Sequence, residues 1–388
     1  MSMRFLRRAA IVIGITFVAY LLADWSVGAY FAYRDREAPP NPAGIPGYKG
    51  EPYAVPEFGL EAQQSAPLYT IPGTRLLWPR EYHGQFFNID RLPPTDSYYR
   101  RTVNPPVTKE PPVLVLFLGG STVYGPDTPD GLTMASQLST ILNEQDKSHS
   151  YVVLNAGVAA LDSTLERERL AYELDHGLKP AYVVVLDGGL DLVGGVYLAS
   201  PGRPVVSGRT YMGELFYKYF PINIYRHLRA WAANRAAQLK LKNAPKSVSD
   251  PLRQQKLLAE TARIYEENQR AMAKLAAGVG AKFLTVLEPN RYGTQYTHGA
   301  TDLDFVARET DGHMPGLSGI LPQGLRALGA AQAKLQAEGI ETLDLSAVFK
   351  DKTGNIFTTS TAHLNAEGSR VVAERIAQVI LRQIPVSQ

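Results

Sequence analysis

The stretch that most constrains this chain is Pro112–Tyr124, PVLVLFLGGSTVY. Val113–Leu118 is an unbroken apolar run, too short for an independent helix and too uniformly apolar for a half-exposed strand. It reads as a buried strand of a parallel sheet. The run ends in Gly119-Gly120-Ser121-Thr122. Paired glycines let the backbone turn sharply and approach a ligand closely, and the residue they deliver to the carboxyl end of a central strand is a hydroxyl nucleophile. Open α/β sheets bind substrates there. Two plainer readings compete. Ser121 and Thr122 can simply satisfy turn or cap hydrogen bonds, as most Gly-Ser-Thr sequences do. A phosphate loop fits poorly: Gly119, Gly120 and Gly125 do not make G-x-G-x-x-G, no G-K-[ST] follows, and the next strand ends in Leu154-Asn155 without a carboxylate for a ribose.

The same rhythm then repeats. After the loop GPDTPDG, the spacing of Met134, Leu138, Ile141 and Leu142 predicts a helix over about Thr133–Asn143. Strand Tyr151–Leu154 runs into Asn155-Ala156-Gly157, and Ser163 with Glu166 has capping-box spacing for a helix ending near Gly177. A third strand, Tyr182–Leu186, ends in Asp187-Gly188-Gly189-Leu190-Asp191. Three successive β-turn-helix units predict an α/β fold: a three-layer, doubly wound parallel sheet with right-handed crossovers and all three turns on one edge. Further on, Asp250-Pro251 starts a helix to about Ala277, a strand follows over Lys282–Leu287, and a loop from Glu288 to about Leu321 is placed to line a pocket. A helix to Glu338, a strand at Glu341–Leu345 and a last helix from about Asn365 to Arg382 complete the unit.

The remaining segments set the organisation. Arg4, Arg7 and Arg8 precede a stretch, Ala9–Tyr33, about as long as a bilayer requires, with Trp25, Tyr30, Phe31 and Tyr33 where an aromatic belt would sit. The expectation for residues 1–33 is a cytoplasmic start and an uncleaved transmembrane anchor; bulky aromatics around Gly28-Ala29 disfavour the rival, a cleaved signal peptide. Residues 34–66, rich in proline and glycine, read as an extended tether, and 67–110 as an aromatic apron packed on the main domain. The α/β domain is expected over 111–388, with an insertion at 196–249 forming a cap or a membrane-facing flap. The 388 residues are 45% hydrophobic and 20% charged, with net charge +3 and scattered Lys and Arg, so nucleic acid is not an expected partner. The chain contains no cysteine, which removes disulfides and thiolate chemistry. Its seven histidines are dispersed, and neither a metal site nor a cofactor is expected.

His363 stands just before the last helix, in Thr361-Ala362-His363-Leu364-Asn365-Ala366-Glu367-Gly368. A lone histidine there is usually a cap or a surface residue. In a doubly wound sheet, however, the loop entering the last helix lies on the edge where the Ser121 turn emerges, within plausible reach of the hydroxyl.

Taken together, Gly119-Gly120-Ser121-Thr122, Asn155 with Gly157, Gly188–Asp191, and His363-Leu364-Asn365 with Gly368 resemble the four sequence blocks of the SGNH or GDSL hydrolases. The likeness is to the membrane-tethered bacterial members with a G-G-S-T nucleophile block, and it spans roughly residues 113–383. The resemblance implies a flavodoxin-like fold and esterase, lipase or carbohydrate O-acyltransferase activity. Ser121 would be the nucleophile, His363 its base, and the backbone N–H groups of Ser121 and Gly157 the oxyanion donors. Two departures stand out. The family's third block is G-x-N-D, and here Leu190 replaces the asparagine, a donor whose loss costs typically about 3 to 4 kcal/mol of transition-state stabilisation. The last block is D-x-x-H, and here Ser360 stands three before His363, leaving the imidazole to a distal carboxylate such as Asp191, Asp344 or Asp351.

These readings make the chain an inner-membrane, single-pass protein with its body in the bacterial periplasm, acting through a Ser-His dyad on acyl esters of a glycan or exopolysaccharide. The alternative is a degenerate member of the same fold that binds glycan or scaffolds an envelope polysaccharide assembly. Leu190 and Ser360 motivate that second reading, since both altered places are catalytic ones.

Overall fold

The computed structural model describes residues 3–37, 42–66, 68–71, 74–203, 209–210, 224, 228, 250–293, 314, 316–350, 352, 354–359 and 361–383. Its centre is an eight-stranded sheet. Five parallel strands lie in the spatial order Glu341–Asp344, Lys282–Leu287, Tyr182–Asp187, Val113–Gly119, Tyr151–Gly157. In chain order this is the 2-1-3-4-5 arrangement of flavodoxin-like sheets, whose switch point falls between the first and third strands. Ser121 follows the first and Gly188 the third.

Alternation along the strands builds the two outer layers. Val115, Phe117, Val153, Val184 and Leu186 face the helices Met134–Gln145 and Ala366–Arg382, where Leu138, Leu142, Val372, Ile376 and Ile380 are buried with them. Leu116, Leu118, Val183 and Val185 face the other way, against Leu170 and Met272 of the helices Ser163–Asp175 and Pro251–Gly278. Burial on both faces is why these strands read as continuous apolar runs.

Several elements differ from expectation. Residues within the expected apron form the other edge of the same sheet: Ser97–Arg100, Asn88–Leu92 and Tyr82–His83 add antiparallel to Tyr151–Gly157, with Arg100 opposite Asn155. The sheet is therefore mixed. Residues 42–66 are folded, not an extended tether: Pro56–Ser65 is helical, and Tyr48, Tyr53 and Phe58 pack with Phe87 in a buried aromatic cluster. Proline and glycine here shape tight turns around aromatic anchors. The Glu61 carboxylate fastens the segment by accepting the backbone N–H groups of Gln85, Phe86 and Phe87. Asp162, not Ser163, caps the next helix, and Glu166 is fully buried. Most of the 196–249 insertion lies outside the described residues.

One helix, Met3–Glu37, begins the chain, and within it Ile11–Tyr30 is long and apolar enough to cross a membrane. Asp24 is the lone acid of the span; it is buried and accepts the backbone N–H of Ile224.

Candidate active site

The nucleophile strand passes through Gly120 into a single helical turn, Ser121–Tyr124, closed by the Tyr124 N–H donating to the Gly120 carbonyl. The N–H groups of Ser121 and Thr122 open that turn and have no intrahelical partner. Gly120 is required by a close approach: a Cβ there would sit 2.9 Å from Leu190 Cδ1 and 3.0 Å from the Leu161 carbonyl oxygen. Leu190 thus covers the nucleophile turn, held there by Gly188, whose φ of +129° is open to glycine.

His363 reaches the same point from the other end of the chain. Its loop is closed by an antiparallel bridge between Phe357 and Leu364 and by the Thr358 N–H donating to the His363 carbonyl. Asn365 caps the last helix by accepting the Gly368 N–H, and its amide also donates to the carbonyls of Asn355 and Gly47. The result is a hydrogen bond of 2.8 Å between His363 Nε2 and Ser121 Oγ.

The second imidazole nitrogen meets an unexpected partner. His363 Nδ1 lies 2.8 Å from Oδ2 of Asp127, six residues beyond Ser121 in the loop GPDTPDG. None of the anticipated carboxylates serves: Asp191 accepts from the Ser163 hydroxyl and N–H, Asp344 is an exposed strand end, and Asp351 lies outside the described residues, as does Ser360. Asp127 Oδ2 also accepts from Thr358 Oγ1 at 2.6 Å and Thr359 Oγ1 at 2.8 Å, and Oδ1 accepts from the Tyr48 hydroxyl. Burial by itself would raise the Asp127 carboxyl, but the adjacent imidazole and these donors outweigh it and hold the group below the ordinary carboxylate range. For His363 the balance is mirrored. Burial would lower the imidazole, and the Asp127 charge and hydrogen bond, with Glu288 further off, raise it.

Arg100 fixes the loop that carries Asp127. Fully buried, it pairs with Asp130 at 2.6 Å, donates to the carbonyls of Gly125 and Thr128, and stacks 4.0 Å above the Phe87 ring. The sheet edge that sequence patterning leaves as apron therefore aims the acid of the relay.

The oxyanion expectation at Gly157 is not met. Its N–H donates to Asn155 Oδ1 at 3.0 Å, and a Cβ on Gly157 would meet Tyr124 N at 2.3 Å, so the glycine is packed beneath the nucleophile turn and away from the cavity. Asn155 meanwhile donates to the Val123 carbonyl, tying that turn to the neighbouring strand. An asparagine accepting the N–H two residues on is a common local pattern that could have flagged this from sequence. Glu288 was also missed. At the end of strand Lys282–Leu287, it accepts from Thr122 Oγ1 at 2.9 Å and Gly189 N–H at 2.8 Å, bracing the first and third turns against each other. Burial pushes its carboxyl up to about 7.

Beside Ser121 and His363 opens a cavity of about 260 Å³ at the switch point.

No protein-family model matches the chain, and no curated protein matches it. Solved structures do. The chain is similar to GDSL-type hydrolases. A member of the lipolytic G-D-S-L family from Veillonella parvula DSM 2008 shares 12% identity, with 69% of this chain and 98% of that one covered and a TM-score of 0.39. The lipase/acylhydrolase from Enterococcus faecalis shares 13% over 71% and 98%, at a TM-score of 0.40. A catalytic mutant of an acetylxylan esterase from Geobacillus stearothermophilus shares 12% over 69% and 93%, at 0.38.

Proposed function

We propose that the chain is a membrane-anchored serine esterase or O-acyltransferase that works on acyl esters of a glycan on the periplasmic side. The observation that carries this reading is the relay from Ser121 Oγ through His363 to Asp127, with 2.8 Å at each junction. It replaces the expected dyad by a triad whose acid comes from the nucleophile's own loop.

In the proposed step, Ser121 Oγ attacks the acyl carbonyl carbon while His363 Nε2 takes the hydroxyl proton. Collapse of the tetrahedral species breaks the bond to the alcohol oxygen, which receives that proton from Nε2, leaving the acyl group on Ser121. Water, or a second hydroxyl, then reverses the sequence and regenerates the serine. Asp127 holds the Nδ1–H tautomer and stabilises the imidazolium. The backbone N–H groups of Ser121 and Thr122, which open the helical turn, would hold the oxyanion.

A second reading, a non-catalytic glycan-binding or scaffolding protein of the same fold, is favoured by one observation: Leu190 offers no donor where the family has asparagine, and the Gly157 N–H is engaged. The two readings separate on one experiment. Full-length protein in lipid nanodiscs is treated with a fluorophosphonate and assayed with p-nitrophenyl acetate beside Ser121→Ala. Labelling at Ser121 and hydrolysis above the variant support the enzyme; no labelling and identical rates overturn it.

A further inference from the structure

The cavity next to the relay is two-sided. Ser121, Thr122, Thr359, Thr361 and His363 form one wall, and the other is apolar: Leu161, Leu190, Val193, Met314, Leu317 and Leu321. Two carboxyls complete the lining: Glu288 accepts from Thr122 and Gly189, and Asp187 accepts from Gln269 through Oδ2. A dry apolar cavity of about 150 Å³ already accommodates benzene, so 260 Å³ is far more than an acetyl group fills. Unfilled apolar volume forfeits contacts on every lining atom.

Building on the esterase reading, we propose that this wall is an acyl-chain pocket for medium chains of about six to eight carbons, and that Leu190 is its specificity-determining residue. Leu190 lies over Gly120, one residue from the nucleophile, so an acyl group on Ser121 extends directly along its side chain. The leucine at this position trades a polar donor for chain contact. The enzyme would then be slow on acetyl esters and recover rate from the buried chain.

The test uses full-length protein in nanodiscs and p-nitrophenyl acetate, butyrate, hexanoate and octanoate. Each buried methylene is worth at most about fourfold, so kcat/KM is expected to rise at least about tenfold from acetate to hexanoate. In Leu190→Asn the hexanoate-to-acetate ratio falls about tenfold, with the acetate rate rising because an amide donor returns. A merely structural role for Leu190 would lower all four esters together. A binding arm runs in parallel: octanamide, and not acetamide, raises the melting temperature of Ser121→Ala, and the rise is lost when Leu190→Asn is added. Turnover that is best with acetate or indifferent to chain length overturns the pocket and leaves the enzyme standing. Octanamide stabilisation without turnover of any ester keeps the pocket and removes the enzyme; neither binding nor turnover removes both.

Discussion

Replacing Asp127 by asparagine separates the charge of the relay from its shape. The carboxylate takes four hydrogen bonds, three on Oδ2 from His363, Thr358 and Thr359 and one on Oδ1 from Tyr48. An amide oriented with its oxygen at the Oδ2 position keeps three of these donors and turns its NH₂ toward the Tyr48 hydroxyl, which can rotate to accept. The Nδ1–H tautomer of His363 is then preserved. In the serine proteases the same exchange forces the wrong tautomer and costs about 10⁴ in kcat. Here the loss is the charge alone. A unit charge about 4 Å from the imidazolium contributes about 4 kcal/mol at an effective dielectric near 20, and side-chain exposures of 7% and 18% leave little screening. The expected fall in kcat is therefore about 10²- to 10³-fold, smaller than in the proteases, while Asp127→Ala, which also removes the orienting bonds, falls further. The pH profile adds a sign. His363 must be neutral to accept the serine proton, and burial lowers its pKa while Asp127 raises it to a net upward shift. Without the charge, the acid limb of kcat/KM with p-nitrophenyl hexanoate moves to lower pH. A variant with wild-type rate and an unmoved acid limb would refute the assignment of Asp127.

Arg100→Met leaves Asp130, whose side chain is only 9% exposed, with its Asn88 donors but without its ion-pair partner. Breaking a buried pair costs about 3 to 5 kcal/mol, to be read as a lower urea midpoint, with activity falling in addition because the Asp127 loop loses its clamp. Glu288→Gln keeps the contacts to Thr122 and Gly189 by reorientation but removes a charge that appears only above about pH 7. The variant and wild-type pH–rate profiles should therefore coincide below that value and separate above it, the variant's His363 being the less basic; separation on the acid side instead would contradict the prediction. Tyr48→Phe deletes one buried donor to Asp127. A loss of about 1 to 2 kcal/mol in stability and a severalfold lower kcat should follow in denaturation and ester assays.

Which parts were legible from sequence follows from which interactions are local. The parallel strands were, because burial on two faces leaves an uninterrupted apolar run such as Val113–Leu118. Helix starts at Thr133, Asp250 and Asn365 were, because a cap is written in adjacent residues. Ser121 and His363 were suggested by topology, since both leave strands or enter helices on one sheet edge. Asp127 was not: in Gly-Pro-Asp-Thr-Pro-Asp-Gly it looks like a solvated turn, and only Arg100, brought in by an antiparallel edge strand, makes that turn a buried one. The folding of residues 42–66 was equally hidden, because three aromatics spaced five apart among prolines and glycines carry neither helical nor strand periodicity, and their partner Phe87 is remote in sequence.

The Tyr48 contact has a practical and a biological consequence. Eleven residues beyond the end of the Met3–Glu37 helix, the chain supplies a hydrogen-bond donor to the acid of the relay. A chain trimmed to begin at residue 67 would keep the whole sheet and both ends of the Ser121–His363 bond yet lack this support. Under the proposed anchoring, cleavage just after Tyr48 separates the body from this donor, so full competence depends on continued attachment.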